Sequence, residues 1–198
     1  SAEMERGRGI EKYSEEFGFE NSDEFISWLR RFQKVGDVGS GEGMLSVDLS
    51  LDPQNNPQIV NIDYDPRGGV GDLIKIDENG HIPLEDETLD AAVACHSVGA
   101  YGDSDEQIRR NLIELHRVIK HGGELLMNLY PLVNAEDVSD DSLQIHAETS
   151  EQATNARDFW VHSPERNEVV VDIPLLQLAV EAGFEVISKR STSPKPGT

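Results

Sequence analysis

The sequence predicts an α/β fold, a doubly wound and mostly parallel sheet with helices on its faces. Three observations predict it. From Val35 onward, short apolar runs ending in Gly or Asp alternate with amphipathic stretches, and that rhythm calls for crossover connections and hence a parallel sheet. A glycine string, Asp37-Val38-Gly39-Ser40-Gly41-Glu42-Gly43, stands where the first run ends, and an acid, Asp63, closes the second. Finally, 198 residues with 37% hydrophobic content are enough for one domain with a sizeable core.

Residues 1–20 are charged, with Tyr13, Phe17 and Phe19 interspersed, and read as an N-terminal arm. Residues 21–192 form the domain. Asn21 to Phe32 is its first helix. Asn21 caps it with Glu24 three residues on, and Phe25, Ile26, Trp28, Leu29 and Phe32 recur on one face. Ile59 to Asp63 is a strand, Val70 to Leu73 a short strand or its end, and Leu89 to Ala94 a buried strand. The stretch from Pro66 to Val70 is too short for a helix, so the crossover between strands 2 and 3 is reduced. Ser104 to Lys120 carries an apolar stripe of Ile108, Leu112, Leu115, Val118 and Ile119, and Gly122-Gly123 stops that helix. Glu124 to Tyr130 is the next strand. Residues 131–168 are acidic and aperiodic, an insertion or lid. Glu168 to Ile173 is a candidate antiparallel edge strand. Pro174 to Ala182 is a helix, Phe184 to Ser188 a last strand, and 193–198 a tail.

Two registers are open around the glycines. In one, strand 1 starts near Lys34 and the glycine string turns out of it. In the other, the first helix runs to Gly36, the alternating Leu45, Val47 and Leu49 form strand 1, and residues 50–57, which lack glycine, face the ligand.

Charge excludes several partners. With 17 Lys+Arg against 38 Asp+Glu, the net charge is −21. Such a surface repels phosphate backbones and anionic membranes. The densest basic cluster, Arg30, Arg31 and Lys34, is too small for a nucleic-acid stripe. The lone Cys95 excludes an internal disulfide and a cysteine metal cluster, which fits a reducing compartment. His146 and His162 lack ligand spacing, so no metal site is expected. No apolar run reaches membrane-spanning length, and Ser1 to Met4 begins no signal-peptide core; the expected location is cytoplasmic. Only 6 of the 17 basic residues are Lys. Abundant carboxylate with scarce Lys suits a salt-adapted protein, because salt screens the self-repulsion; an ordinary acidic protein is the other reading. A salt-adapted chain unfolds at higher temperature in multimolar than in dilute KCl, and equal midpoints in the two would contradict that reading.

The glycine string carries the most chemistry. Glycines after a strand allow a sharp turn and a close backbone approach, and the next helix offers free N–H groups. An acid at the end of the following strand can accept the hydroxyls of a ribose. The spacing is G-x-G-x-G, and Met44 stands where a dinucleotide fingerprint has its third glycine, which disfavours a nicotinamide oxidoreductase.

With these residues the chain resembles the class I S-adenosylmethionine-dependent methyltransferases, near their small type 11 branch. The resemblance runs from about Val35 to Ser188. Asp37 to Gly43 looks like the family's first motif, and Val60-Asn-Ile-Asp-Tyr-Asp-Pro66 like its second strand end. Gly71-Asp72-Leu73 with Ile82-Pro-Leu-Glu-Asp-Glu-Thr-Leu-Asp90 looks like its third segment. Glu114-Leu-His-Arg-Val-Ile-Lys-His-Gly-Gly123 looks like its fourth, and Ala182-Gly183-Phe184 recurs as well. The resemblance implies a Rossmann-like sheet and S-adenosylmethionine as cofactor. Gly39, Gly41 and Gly43, with Asp37, would surround the cofactor's amino-acid end. Asp63 would hold the ribose, Tyr64 would lie beside the adenine, Asp72 would contact the adenine amino group, and Leu73 would supply a backbone N–H. His96 would lie near the sulfonium or the acceptor. His96, Tyr101 and Tyr130 are the candidate catalytic groups, at the strand ends where such sheets bind ligands.

The chain also departs from the family. Gly36 replaces a large apolar residue in strand 1, and His121 replaces the proline before Gly-Gly. It lacks the Asn/Asp-Pro-Pro-Tyr motif of enzymes that methylate nucleic-acid amines. Two functions follow as expectations. One is a methyltransferase acting on a small molecule or metabolite. The other is a catalytically inactive relative that keeps the fold for binding or assembly. Beside each functional role stands a plainer one: a flexible turn for the glycines, a solvated strand end for Asp63, a cap for Asp72, a hydrogen-bonded strand-end histidine for His96. Glu114, His116 and Arg117 read as structural ties, and Cys95 as a small core residue.

Overall fold

The computed structural model describes residues 8–95, 97–98, 104–127, 160–163, 168–171 and 175–185. Its main sheet holds β1 (Lys34–Val38), β2 (Gln58–Asp63), β3 (Leu73–Lys75), β4 (Leu89–Ala94) and β5 (Ile119–Met127) in the order β3-β2-β1-β4-β5, and every pairing is parallel. The helices are α1 (Ile10–Glu16), α2 (Ser22–Leu29), α3 (Met44–Leu49), α4 (Asp105–Val118) and α5 (Leu175–Glu181).

Side chains alternate across the strands and build two cores. Val35, Ile59, Ala91 and Val93 face α1, α2 and α3. Val38, Val60, Ile62, Ala92 and Ala94 face α4 and α5. Helices therefore cover both faces, as a doubly wound sheet requires. Gly36 has a packing reason: a Cβ there would lie 2.7 Å from Leu89 Cδ1 and 3.2 Å from Ile62 Cδ1, so its neighbours already fill the space.

Within the segment expected as an arm, the chain is helical from Ile10 and contributes to the core. Tyr13 and Phe17 are buried against Phe25 and Leu29. Asp48 on α3 accepts a hydrogen bond from the Ile10 N–H at 3.0 Å and so caps α1 from another element. Asn21 caps α2 as expected by accepting from the Glu24 N–H at 2.9 Å, but the helix ends at Leu29, short of Phe32.

The glycine-loop register is the observed one. Lys34–Val38 is the strand, and Met44–Leu49 is a helix despite its alternating pattern. Residues 50–57 lead into the start of β2, where the Gln58 N–H donates to the Gln33 carbonyl, far from the strand ends that follow the glycines. No helix lies between β2 and β3, as the short connection predicted. Leu73 on the edge strand is consequently 47% exposed.

Three expectations are corrected. The helix before Gly122-Gly123 ends at Val118, and the glycines lie inside β5. Leu89 pairs Ile119 while Ala91 pairs Glu124, so residues 120–123 bulge from the ladder. A Cβ on Gly123 would meet the Asp90 carbonyl oxygen at 2.5 Å, so the second glycine serves the bulge rather than a helix cap. Glu168–Val171 does not extend the main sheet; it pairs antiparallel with Trp160–Ser163 in a separate two-stranded sheet. Phe184 and Glu185 are not in a strand, and the rest of the expected last strand lies outside the described residues. Gly183 turns the chain tightly enough that a Cβ would lie 2.8 Å from His116 Nε2, and the His116 and Phe184 rings meet edge-on.

Candidate functional site

The carboxyl rim of the sheet is formed by Val38, Asp63, Lys75 and Ala94, the last residues of β1 to β4. Loops that bind ligands in parallel sheets leave from this rim. The glycine loop turns immediately after it. The Gly39 and Ser40 N–H groups both donate to the Ile62 carbonyl, at 2.7 and 3.1 Å. Gly39, Gly41 and Gly43 all have positive φ, at 81°, 53° and 71°, a region L side chains avoid. Gly39 is also crowded, since a Cβ there would lie 2.6 Å from Ser97 Cβ. Ser97, just past β4, donates its hydroxyl to the Val38 carbonyl at 2.6 Å and ties the two rim loops together.

Asp63 does reach the glycine loop. Its Oδ2 accepts from the Gly41 N–H at 2.7 Å and its Oδ1 from the Asp65 N–H at 3.1 Å. Each carboxylate oxygen keeps a further lone pair for a ligand hydroxyl. The connection that replaces the missing helix folds back over the same loop. The Arg67 N–H donates to the Gly41 carbonyl at 2.9 Å, and Arg67 Nε lies 3.3 Å from Glu42 Oε1. Ser46 clips it from below by donating to the Gly43 carbonyl at 2.6 Å and accepting from the Val70 N–H at 2.8 Å.

Asp72 and Leu73 are not at the rim. Leu73 pairs Asn61, two residues below Asp63, and Asp72 precedes it. Asp72 therefore lies about 10 Å down the strand from Lys75. Its carbonyl accepts from the Asn61 N–H at 2.9 Å. The acid that does leave the rim beside Asp63 is Asp77: Ile76 donates its N–H to the Asp63 carbonyl at 2.8 Å, and Asp77 follows. Asp77 Oδ1 accepts from the Asn79 and His81 N–H groups at 2.8 and 2.9 Å. The signal for Asp77 was available in its short distance from Ile82-Pro83-Leu84. It was obscured by the literal Gly71-Asp72 pair, because a motif match does not say which end of a strand it occupies.

A narrow cleft opens beside the rim. Val38, Ile76, Ile82 and Val98 give it apolar walls, and Tyr64, Asn111 and Glu114 add polar groups. Arg117 clamps the Ile82–Leu84 segment by donating to the Ile82 and Leu84 carbonyls at 2.8 and 2.7 Å, and it pairs with Asp86 and Glu114. Glu114 also accepts from the Ile82 N–H at 3.0 Å. Burial alone would raise the Glu114 carboxyl, but Arg117 and the Ile82 N–H hold it below its ordinary range. The structural reading of Glu114 and Arg117 stands.

Asp37 is fully buried beneath the glycine loop. The Tyr13 hydroxyl of α1 donates to its Oδ1 at 2.6 Å. Its Oδ2 has no partner among the described residues. Burial pushes the Asp37 carboxyl up to about 7, against the lowering effects of the Tyr13 hydrogen bond and Arg8, and the Asp63 charge raises it further. A buried unpaired carboxylate oxygen is costly unless something satisfies it. Sequence reasoning named Asp37 but missed Tyr13, because no local pattern links an aromatic residue in an N-terminal segment to a strand acid.

His96, Tyr101 and Tyr130, the candidate catalytic groups, lie outside the described residues, as does most of 131–168. Cys95 is buried at the end of β4. Among the described residues no cluster of His, Cys, Asp or Glu is arranged to hold a metal ion, and no helix is long and apolar enough to cross a membrane.

Comparison with known proteins adds a similarity. Residues 36–127 match the family model described as a methyltransferase domain. Among solved structures, a sugar N-methyltransferase from Streptoalloteichus is 17% identical with a TM-score of 0.43, over 53% of this chain and 47% of that one. A SAM-dependent methyltransferase from Archaeoglobus fulgidus is 19% identical with a TM-score of 0.37, over 55% and 52%. The chain thus spans about half the length of each. No curated protein matches the sequence.

Proposed function

We propose, because residues 36–127 match a family model described as a methyltransferase domain, that the carboxyl rim holds S-adenosylmethionine and that the chain methylates a small molecule. The observation that carries the proposal is the joint between the glycine loop and Asp63, made by the Gly41 N–H and Asp63 Oδ2 at 2.7 Å. It sets a ribose-binding acid beside a loop whose missing side chains leave room for a ligand. The residues fit the cofactor in one further respect. Asp37 offers to a cationic group a buried oxygen that has no partner among the described residues.

When bound, the cofactor supplies an electrophilic methyl group on a sulfonium, so the protein's main task is to position an acceptor in line with it. Gly39, Gly41 and Gly43 would bend around the amino-acid end. Asp63 would accept the ribose hydroxyls, with Tyr64 beside the ring. Asp77 takes over the adenine-edge role first expected of Asp72, because it leaves the rim and Asp72 does not. His96, Tyr101 and Tyr130 remain the candidates for steering the acceptor or taking its proton. The charge of −21 favours a small acceptor over nucleic acid.

A second reading is a binding protein that keeps the fold without turnover. The docking of Arg67 onto Gly41 and Glu42 favours it, because residues 66–70 already occupy one flank of the loop.

Calorimetry of the purified chain tests the proposal. S-adenosylmethionine and S-adenosylhomocysteine are expected to bind at micromolar concentration, and Asp63→Ala is expected to weaken both at least about a hundredfold, the loss of two hydrogen bonds to a charged acceptor. No heat with millimolar ligand would overturn the cofactor assignment. Binding without turnover on a panel of small amines, alcohols and thiols would favour the second reading.

A further inference from the structure

We infer that Tyr13, on the N-terminal helix, is a positioning residue for the cofactor's amino-acid end, acting through Asp37; the inference rests on the cofactor assignment above. Three observations support it. The Tyr13 hydroxyl and Asp37 Oδ1 are 2.6 Å apart, and both residues are buried. The hydroxyl occupies one carboxylate oxygen and leaves Oδ2, buried and without a partner among the described residues. Asp37 stands two residues before Gly39, on the strand that feeds the loop.

The chemistry of that oxygen selects a cation. A fully buried carboxylate with one free oxygen gains most from a donor that is itself positively charged. The only cationic groups on the cofactor are its ammonium and its sulfonium, and only the ammonium can donate a hydrogen bond. Tyr13 prepares Asp37 in two respects. It fixes the rotamer of the carboxylate, since the ring is held by Phe17 at 5.9 Å and Phe25 at 6.4 Å between centroids. It also favours the ionised form by donating to it. The titratable groups that influence this carboxylate are Tyr13 and Arg8 on the α1 side and Asp63 on β2; Cys95 at the end of β4 acts on Tyr13. Tyr13 itself remains a donor throughout the working range, because burial and Asp37 raise its hydroxyl well above the usual value. The N-terminal helix is therefore part of the cofactor site, although it lies outside the stretch that the methyltransferase family model covers.

The test compares two ligands and two proteins. S-adenosylhomocysteine carries the ammonium, whereas 5′-methylthioadenosine keeps the adenosine and lacks the amino-acid end. Tyr13→Phe retains the ring and loses the donor. At pH 7 it is expected to weaken S-adenosylhomocysteine about tenfold, the effect of one hydrogen bond to a charged group, and to leave 5′-methylthioadenosine within twofold. Part of the lost affinity is expected to return at pH 8, because without its donor Asp37 ionises at higher pH. Equal weakening of both ligands would show Tyr13 to be merely structural and would overturn the inference. So would unchanged affinity for both. Failure of the unsubstituted protein to bind S-adenosylhomocysteine overturns the cofactor assignment itself, together with the inference, and is distinguished by appearing before any variant is made.

Discussion

Asp37→Asn is expected to leave stability nearly unchanged at pH 4 and to raise it by about 4 kcal/mol at pH 8. The folded chain keeps a proton on Asp37 up to about pH 7, and the unfolded chain only to its ordinary value of 3.8. Between those values the folded state binds more protons, so stability falls as pH rises. The difference of roughly three pH units corresponds to about 4 kcal/mol. Asn is neutral throughout and still accepts from Tyr13, so the variant escapes this loss. Urea unfolding of both proteins at intervals from pH 4 to 8, at fixed salt, checks the prediction. The difference between the two curves cancels the contributions of the other carboxylates. Parallel curves would show that Asp37 is not held protonated by burial. The same variant is expected to lose affinity for S-adenosylhomocysteine, so stability and binding move in opposite directions, as happens where a buried charge is kept for a ligand.

Gly43→Ala is expected to cost about 3 kcal/mol and to abolish cofactor binding, whereas Gly122→Ala costs about 1 kcal/mol and leaves binding intact. Both glycines have positive φ, 71° and 82°, so both substitutions pay the left-handed conformational cost. They differ in surroundings. A Cβ on Gly43 would fall on the Gly68 carbonyl and the Gly69 Cα, and backbone cannot swing aside as a side chain can. A Cβ on Gly122 meets nothing within 4 Å. The Gly43 substitution must push residues 66–70 away from the glycine loop and so disturb Gly41 and Arg67 together. Urea midpoints and S-adenosylhomocysteine titration on both variants check this. A Gly43→Ala protein as stable as Gly122→Ala would mean that the two loops are not packed as described.

Much of this architecture was legible in the sequence because it is locally encoded. The apolar run at Leu89 to Ala94 could only be a buried strand, and the stripe from Ile108 to Val118 could only be a helix with one face in the core. The positive φ at Gly39, Gly41 and Gly43 follows from turning sharply out of a strand, and glycine is the residue that permits it. The segment Met44 to Leu49 was ambiguous, because a short apolar run fits either period, and its packing on α1 and β2 made it a helix.

Other features depended on pairing between distant residues. Asp72 and Asp77 lie in one short stretch of sequence; only the register of β3 on β2 shows that one precedes the strand and the other leaves the rim. The Gly122-Gly123 pair looked like a helix stop until Ile119 paired with Leu89 and drew the chain into a strand early. Glu168 to Val171 reads as a strand locally, but its partner is Trp160–Ser163 and not the main sheet.

By itself, then, the sequence determined the α/β alternation, the glycine turn and the acid at the end of the second strand, because hydrophobic period, turn chemistry and chain length act over a few residues. Tertiary structure alone decided which acid stands at the rim, and it alone joined Tyr13 to Asp37. Both outcomes depend on strand register and on burial between segments far apart in the chain, where the energy of a contact has no local signature.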